Sequence, residues 1–367
     1  MLTSDSKAAS VTQRKRYSEL SLLSVIFCIL VVFIHCSSEP VTNLDKNSWQ
    51  YIAVFLPWRL SSFVVQGFIM LSGIKLFLGN TDSVGYIKYV AKRLKTVFLP
   101  YVLWVLVCYF WFLYHHYFEF SFGDIFGYIF KGNLVGHFYF VVVIMQFYLL
   151  YPLWKLMLRK LPCSAAVCLS LGVMILLSQG LVSLISVFFP GYFFPYNDRI
   201  FTTYLFYFVC GCFIGANYDV FKATVLRFRY AITVLFAIFA FLDGFVSLGV
   251  FRGVFVFAQL DILHTLYIIS AVFFFIMVAN VLCGKREKLP AVLSHIDSAS
   301  YIIYLSHPLF IFFIDGYFLY KINSIAEKYF IRLICTYVVV FTVCITYKII
   351  KRGILNYVKS RRKLKVQ

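Results

Sequence analysis

Charged residues are scarce in this chain: Asp, Glu, Lys and Arg make up 13% of its 367 residues, whereas 62% are hydrophobic. A soluble domain of average composition has about 25% charged and about 45–50% apolar residues. The shortage of charge therefore excludes an ordinary soluble domain. Alternation of polar and apolar residues with period two is also lacking, which argues against half-buried strands. The sequence predicts an all-α protein.

Several catalytic signatures are missing as well. The chain has no G-x-x-x-x-G-K-[ST] phosphate loop, no G-x-S-x-G elbow and no H-E-x-x-H zinc helix. No histidine is followed five residues later by aspartate, which is the pattern of soluble glycerolipid acyltransferases. An ATP-driven pump and a serine hydrolase are therefore not expected. The ten cysteines form no C-x-x-C pair and lie in or beside apolar runs, where cysteine acts as a small hydrophobe, so neither disulfides nor a metal site is expected.

Ten apolar runs are long enough to cross a membrane, because about 20 apolar residues span a bilayer core about 30 Å thick. Lipid offers no partners to free backbone groups, so each run is predicted to be helical. The sequence thus predicts a polytopic transmembrane bundle of about ten helices. The predicted spans are 20–38, 51–78, 97–118, 136–156, 164–189, 200–216, 228–250, 259–283, 300–318 and 330–350.

The number of lysine and arginine residues alternates between high and low from one connection between predicted spans to the next. With the N-terminus inside, the inside segments hold 26 of the 34 basic residues and the outside segments hold seven, while Arg59 lies within a span. Basic residues are enriched in cytoplasmic connections, so both termini are predicted to be cytoplasmic. The net charge of +19 has the same origin, and nucleic acid is not an expected partner. The predicted organisation is a cytoplasmic tail 1–16, a transmembrane domain 17–352 and a basic cytoplasmic tail 353–367.

Ionisable residues inside the predicted spans are few, and such residues are costly to bury in a bilayer and mark functional sites. His35 lies towards the outer end of the first span. Imidazole titrates near neutrality, which suits a general base or a transient acyl carrier; a helix-end histidine bonded to headgroups or a carbonyl is the alternative. Arg59 lies about 12 Å along the second span, at about 1.5 Å per residue. It needs an anionic or carbonyl partner unless it reaches the outer surface.

His137 and His307 lie in the fourth and ninth predicted spans. Each could be a packed, hydrogen-bonded histidine rather than a site residue. Pro308 leaves nearby backbone carbonyls without their helical partner, and His307 could donate a hydrogen bond to them. Further ionisable residues lie towards the outer halves of spans seven and eight: Asp243, Asp261 and His264. They could bind a hydroxylated acceptor, or they could pair with Arg59 or Arg252.

Six short motifs follow one another between about Tyr17 and Arg352. They are V-V-F-I-H ending at His35; the segment from Arg59 to Gly73; K-R-L-K at 92–95 leading to Pro100-Tyr101; H-F-Y-F from His137 with the following Y-L-L-Y-P at 148–152; Tyr204 to Gly215; and Tyr301 to His307. In this order and on ten predicted spans, they resemble the acyltransferase 3 family of membrane O-acyltransferases. Those proteins have about ten helices and modify sugars of bacterial surface glycans.

The chain departs from the family pattern at three places. Ser24 stands where the family often has an arginine, eleven residues before the first-helix histidine. Tyr139 replaces a tryptophan in the fourth-helix motif. The paired arginines spaced by four are only approximated, either by Lys88 and Lys92 or by Arg93 with the non-basic Val97. These differences indicate a divergent branch of the family.

The resemblance implies an enzyme of the bacterial cytoplasmic membrane that moves an acyl group from a cytoplasmic acyl-CoA to a hydroxyl of an extracytoplasmic or lipid-linked glycan. Acetyl-CoA is the expected donor, and no permanently bound cofactor is expected. His35 would be the base or acyl carrier, with His137 and Arg59 orienting the acceptor or stabilising oxyanion charge. The predicted substrate-binding residues are Lys88, Lys92, Arg93, Lys95, Asp261 and His307.

Two rival classes use the same polar residues differently. A transporter or flippase of a lipid-linked sugar or small acid would move its cargo without covalent chemistry. A membrane scaffold or sensor would tolerate substitution of the histidines. Covalent transfer from labelled acetyl-CoA separates the enzyme from both.

Overall fold

Helices make up nearly all of the regular structure in the computed structural model, which describes residues 17–78, 85–191, 195–284, 286 and 288–364. The predicted tail 1–16 lies outside these residues. No strand occurs in the described ranges, so the predicted all-α class is confirmed. The helices are α1 (Ser18–Asn43), α2 (Trp49–Ser61), α3 (Val64–Phe77), α4 (Tyr86–Arg93), α5 (Leu99–Tyr114), α6 (Phe122–Lys131), α7 (Tyr139–Leu149), α8 (Tyr151–Lys160), α9 (Cys163–Ile175), α10 (Leu181–Phe188), α11 (Leu205–Ala216), α12 (Tyr218–Arg227), α13 (Arg229–Phe251), α14 (Leu260–Cys283), α15 (Ala291–Tyr317) and α16 (Ile325–Leu364).

Seven helices or near-straight helix pairs in the described ranges are long and apolar enough to cross a bilayer. They are α1, α2 with α3, α4 with α5, α13, α14, α15 and α16. Two bent pairs raise the number to nine: α7 with α8, bent by 56°, and the segment ending in α11 with α12, bent by 105°. The apolar helix Cys163–Ser178 is shorter than these and occupies the predicted run 164–189. The protein is therefore a multi-pass membrane protein close to the predicted count.

Several boundaries differ from the sequence prediction. The third span begins with α4 rather than at residue 97, because α4 continues through a π-helical turn at 94–98 into α5. The predicted tail 353–367 continues α16 as far as Leu364. In both places the polar residues extend a helix instead of ending it, since Lys and Arg are good helix formers.

The second span is interrupted between α2 and α3. Pro57 inside α2 cannot donate a backbone hydrogen bond, and four residues later the Ser61 hydroxyl donates to the Pro57 carbonyl at 2.7 Å. The Ser62 backbone N–H bonds the carbonyl only three residues back. From α14, the Tyr267 hydroxyl donates to the Leu60 carbonyl. These contacts stabilise the interruption of the helix, with Ser62 at the break between α2 and α3.

Helices α3 and α11 approach so closely that only glycine fits at the contact. A Cβ atom on Gly211 or Gly215 would overlap the carbonyl oxygen of Met70 or Ile74, respectively. A Cβ on Gly73 would lie 2.6 Å from the Phe208 carbonyl oxygen. Small residues spaced by four commonly mediate such packing in membranes. The glycines at the end of the motif from Tyr204 to Gly215 therefore allow α3 and α11 to pack closely.

Replacing Gly211 with alanine is expected to lower the free energy of unfolding by about 1–3 kcal/mol, because overpacking forces two rigid backbones apart. Thermal unfolding in detergent micelles measures the effect. Gly127→Ala in α6 is the matched control, since a Cβ there meets no atom within 4 Å. Equal melting temperatures for the two variants would contradict the close contact.

Helix α1 is central and is tied by ion pairs at both ends. It contacts α2, α3, α14, α15 and α16. Near its start, Glu19 accepts from Lys222 of α12 at 2.9 Å. Near its end, Glu39 accepts from Arg332 of α16 at 2.7 Å, and the same guanidinium also pairs with Asp315 of α15 at 2.7 Å. These contacts hold the residues of α1 in register with α15 and α16.

Candidate functional site

Three histidines from different helices meet inside the bundle. His35 lies in α1, His137 lies two residues before α7 and His307 lies in α15. Their ring centroids are 5.4 Å apart for His35 and His137, 5.0 Å for His35 and His307, and 4.8 Å for His137 and His307. We call these three residues the histidine cluster. The structure thus brings together three residues that the sequence analysis selected separately.

Local hydrogen bonding fixes the tautomer of His307. Its Nδ1 lies 3.1 Å from the Ile303 carbonyl oxygen, one turn earlier in α15. A carbonyl can only accept, so Nδ1 carries the proton and Nε2 of the neutral ring is an acceptor. This Nε2 is buried without a hydrogen-bond partner. His307 therefore hydrogen-bonds a backbone carbonyl through Nδ1, and Nε2 remains available for chemistry.

His137 is held through its backbone rather than its ring. The Tyr304 hydroxyl of α15 donates to the His137 carbonyl oxygen, while both ring nitrogens are buried without a partner. An unpaired buried polar group costs about 1–3 kcal/mol, and such groups call for an explanation in a native fold. An imidazole kept in this state is suited to bind or exchange a proton with a substrate.

His35 differs from the other two because its side chain is partly exposed, whereas His137 and His307 are 4% and 0% exposed. It faces a cavity of about 200 Å³, which we call the histidine cavity. Besides apolar side chains, the lining includes His35, Ser62, His137, Tyr139 and Tyr304. Of the histidine cluster, His35 is the member with the freest access to a ligand in this space.

A second cavity, of about 210 Å³, lies next to the first and nearer the start of α1. We call it the lysine cavity, because Lys75 of α3 lines it together with Ser24, Ser72, Tyr148 and Tyr301. The Lys75 ammonium donates to the Ser24 hydroxyl at 2.7 Å. Three residues line both cavities: Phe68, Phe140 and Tyr304. Ser24 precedes His35 by eleven residues, about 16 Å along α1, so the two cavities follow one another along that helix.

Only one residue of the predicted basic stretch reaches a wall of the lysine cavity. The Arg93 guanidinium lies 4.3 Å from the ring centroid of Tyr148, which lines that cavity. Lys88, Lys92 and Lys95 are exposed on α4 and the following turn. They are available to a ligand approaching the cavity from the surface but do not line it.

Arg59 does not join the histidine cluster. Its guanidinium makes two hydrogen bonds of 3.2 Å to the carboxylate of Asp243 in α13, which is fully buried. The same carboxylate lies 3.0 Å from Nδ1 of His264 in α14. Of the two sequence alternatives for Asp243, pairing with Arg59 is the one found. Asp261 is exposed in the first turn of α14 and does not line either cavity.

Sequence reasoning missed two residues of this region. Lys75 follows an apolar run and is one of the predicted inside charges, so the sequence predicts no further role for it, although the loss of the expected arginine at position 24 signals a change in the cation nearby. Ser62 lies within the motif from Arg59 to Gly73, where the sequence gives it no separate role. It lies 3.1 Å from Nε2 of His264, and no local pattern in the sequence announces this contact.

The histidine cluster also has the number of nitrogen ligands that a catalytic zinc site uses. One ring nitrogen from each histidine can be chosen so that the three nitrogens lie within 4.8 Å of one another. Nitrogens bound to zinc at about 2.0–2.1 Å are separated by about 3.3 Å, so binding an ion would draw the rings closer together. The sequence-based expectation of no metal stays a prediction.

The fold and the site define a multi-pass membrane protein in which three histidines from different helices meet inside the bundle. A comparison with known families identifies the family. Residues 17–349 match the family model described as an acyltransferase domain. The chain therefore belongs to the acyltransferase 3 family, and the resemblance seen in the sequence is confirmed.

Two curated relatives are similar over nearly their whole length. A protein of Staphylococcus aureus (strain MSSA476), named probable poly-β-1,6-N-acetyl-D-glucosamine export protein, is 24% identical over 352 residues, which cover 91% of this chain and 92% of that protein. A Staphylococcus epidermidis protein of the same name is 23% identical over 373 residues, covering 96% and 97%. The search of solved structures gives no match.

Proposed function

We propose that this protein transfers an acyl group from acyl-CoA on the cytoplasmic side to a hydroxyl of a glycan on the outer side of the bacterial cytoplasmic membrane. The observation that carries the proposal is the pair of adjacent cavities along α1. One holds an accessible ammonium and the other holds the histidine cluster. An anionic donor in the lysine cavity and a neutral acceptor in the histidine cavity can therefore meet where the two cavities adjoin.

The donor enters from the side where α1 begins, which is cytoplasmic in the predicted N-in orientation. Lys88, Lys92 and Lys95 are exposed there and attract the phosphates of acyl-CoA over a distance. Lys75, bonded to the Ser24 hydroxyl at 2.7 Å, provides a fixed cation deeper in the bundle. The thioester end then extends past the residues shared by both cavities into the histidine cavity.

His35 acts as the base at the acceptor. Its partly exposed ring lines the histidine cavity, so it can take the proton from an acceptor hydroxyl as that oxygen attacks the acyl carbonyl. His137 and His307 are neutral, buried neighbours within 5.4 Å, centroid to centroid. Both rings stabilise the positive charge that develops on His35, and His137, which lines the cavity, orients the incoming hydroxyl.

The proposed acceptor is a surface glycan containing N-acetylglucosamine. Support comes from the relatives, whose names concern poly-β-1,6-N-acetyl-D-glucosamine. Mass spectrometry of the surface polysaccharide from cells with and without this gene tests the proposal. We expect a mass difference of one acyl group per modified sugar, restored by the wild-type gene. Identical polysaccharides in equal amounts would contradict it.

Export of such a glycan is the second candidate function, because the relatives are named as export proteins. An exporter moves its cargo unmodified, so deletion would lower the amount of surface polysaccharide without changing its acylation. Incubation of the purified protein with radiolabelled acetyl-CoA and an N-acetylglucosamine oligosaccharide separates the two functions. Label in the oligosaccharide supports transfer. Movement of an unlabelled oligosaccharide out of vesicles that contain the protein supports export.

Replacing Lys75 with methionine is expected to raise the KM for acetyl-CoA about 10- to 100-fold. A hydrogen bond to a charged group is worth about 1.5–3 kcal/mol, and each 1.4 kcal/mol is a tenfold change. The kcat should change much less, since Lys75 binds the donor away from the reacting carbon. Steady-state kinetics at varied acetyl-CoA measure both constants.

Lys75→Arg retains the positive charge and should keep most of the affinity. Lys351→Met removes an exposed lysine of α16 and serves as the control for loss of one basic residue. An unchanged KM in Lys75→Met would move the donor site away from the lysine cavity.

A further inference from the structure

A serine, a histidine and an aspartate form a connected chain at the edge of the histidine cavity. The Ser62 hydroxyl lies 3.1 Å from Nε2 of His264. Nδ1 of the same ring lies 3.0 Å and 3.1 Å from the two carboxylate oxygens of Asp243. A nucleophile bonded to a base, and a base oriented by a carboxylate, is the arrangement that activates a serine for covalent catalysis.

The surroundings lock this chain in one geometry. Asp243 is fully buried, and two hydrogen bonds from Arg59, each 3.2 Å long, hold its carboxylate in place. The Tyr267 ring stacks on the His264 imidazole at a centroid distance of 5.9 Å. A fixed carboxylate makes Nδ1 the protonated nitrogen of neutral His264, which leaves Nε2 as the acceptor of the Ser62 proton.

The helix break presents the Ser62 hydroxyl to the cavity instead of to the backbone. Its neighbour Ser61 is buried and donates to the Pro57 carbonyl one turn earlier, which is the usual role of a serine inside a transmembrane helix. Ser62 bonds His264 instead and lines the histidine cavity together with His35. The base and the acceptor of the proposed reaction therefore share one space with this hydroxyl.

We propose that Ser62 is the acyl carrier of the enzyme, activated by His264 and Asp243, and that the acyl group passes from the donor thioester to Ser62 before it reaches the glycan. This inference rests on the proposed acyl transfer and adds a covalent intermediate to it. The chain then holds two catalytic units in one cavity: Ser62 with His264 for the donor, and His35 for the acceptor.

The first half-reaction forms an ester and releases CoA. The Ser62 oxygen attacks the thioester carbonyl carbon while Nε2 of His264 takes the hydroxyl proton. The carbon–sulfur bond breaks, and the proton on His264 goes to the departing thiolate, giving CoA as the free thiol. Asp243 stabilises the transient imidazolium and stays ionised.

The second half-reaction returns the serine to its starting state. The glycan hydroxyl attacks the ester carbonyl carbon while His35 takes its proton. The bond between the acyl carbon and the Ser62 oxygen breaks, and the proton that His35 took passes to the departing Ser62 oxygen. Ser62 is then again a hydroxyl bonded to Nε2 of His264, and both histidines are neutral. No oxidant, reductant or further reactant is required.

Trapping of the intermediate tests the proposal. The purified full-length protein is incubated with radiolabelled acetyl-CoA without acceptor, quenched in acid and digested, and the acetylated peptide is identified by mass spectrometry. We expect one acetyl group on Ser62. His35→Ala should still become labelled but should not pass the label to an added oligosaccharide, so its labelled fraction should exceed that of the wild type in the presence of acceptor.

The variants of the serine give the decisive comparison. Ser62→Ala should lose the label and lower transfer at least about 100-fold, while Ser62→Cys should form a thioester that neutral hydroxylamine cleaves. Ser61→Ala, one residue away and outside the cavity lining, should behave like the wild type. If the wild type transfers acetyl groups but the label lies on His35, or if Ser62→Ala transfers at the normal rate, Ser62 is not the carrier. If the wild type transfers no label at all, the proposed function itself fails.

Discussion

Replacing His35 with alanine is expected to lower the rate of acyl transfer to a glycan by about 10²–10⁴-fold, the usual contribution of a general base. His35 is the partly exposed member of the histidine cluster and lines the cavity where the acceptor is proposed to bind. His137 also lines this cavity, but His137 and His307 are 4% and 0% exposed and are therefore not expected to replace His35. The effect should fall on kcat and should leave the KM for acetyl-CoA nearly unchanged, since the donor phosphates are proposed to bind at the lysine cavity.

His295→Ala is the matched control for this experiment. His295 is an exposed histidine near the start of α15, and its loss should leave transfer within about twofold of the wild type. Expression and melting temperature of both variants should stay close to those of the wild type, because the His35 ring is partly exposed and borders a cavity instead of filling a closely packed site. Normal transfer by folded His35→Ala would remove the base from the mechanism.

Replacing Arg59 with methionine is expected to lower the free energy of unfolding by about 3 kcal/mol, the lower part of the range for breaking a buried ion pair. The stranded partner is Asp243, which is fully buried. His264 still bonds its carboxylate, and the Arg59 side chain is 13% exposed, so the loss is smaller than for a pair with no other contacts. Equilibrium unfolding in mixed micelles measures the change.

The double variant Arg59→Met with Asp243→Leu tests the cause of that loss. Removing both charges leaves no buried carboxylate to solvate, so stability should recover to within about 1 kcal/mol of the wild type. Transfer should remain low, because His264 loses its orienting carboxylate. Arg252→Met, which removes a guanidinium bonded to the Lys46 carbonyl at 2.6 Å, should change stability by at most about 0.5 kcal/mol. A double variant as unstable as Arg59→Met would contradict the account of Asp243.

The transmembrane bundle could be predicted because its signal is local. Each span requires its own run of about 20 apolar residues, and these runs are visible without knowledge of neighbouring helices. The 105° bend after α11 was not predictable in the same way. Residues 218–227 continue the helical pattern, and the change of direction comes with Asn217, whose backbone has φ −127° and ψ 40° and so leaves the helical region.

The site was predictable in part for a related reason. His35, His137 and His307 are recognisable as costly residues within spans, but their meeting depends on how α1, α7 and α15 pack. The partner of Arg59 could not be chosen from the sequence, since Asp243 lies 184 residues away along the chain. Membership of the acyltransferase 3 family supports the reaction class, whereas the roles proposed for single residues rest on the geometry of the site.

Lys75 and Ser62 show where local reasoning ends. A lysine after a long apolar run is typical of a positive-inside connection, and a serine beside another serine carries no signal. Each gains its meaning from a contact across the bundle: Lys75 with Ser24 at 2.7 Å, and Ser62 with His264 at 3.1 Å. Ser24 stands where the family often has an arginine, so Lys75 restores from a different helix the cation that α1 lacks.

Transfer across a sealed membrane tests the central claim most directly. Proteoliposomes are loaded with radiolabelled acetyl-CoA on the side that carries Lys75, and an N-acetylglucosamine oligosaccharide is supplied only on the opposite side. We expect label in ester linkage to the oligosaccharide, with none in vesicles that contain His35→Ala. An oligosaccharide that crosses the membrane without label, or label that appears only when donor and acceptor share one compartment, would contradict the account.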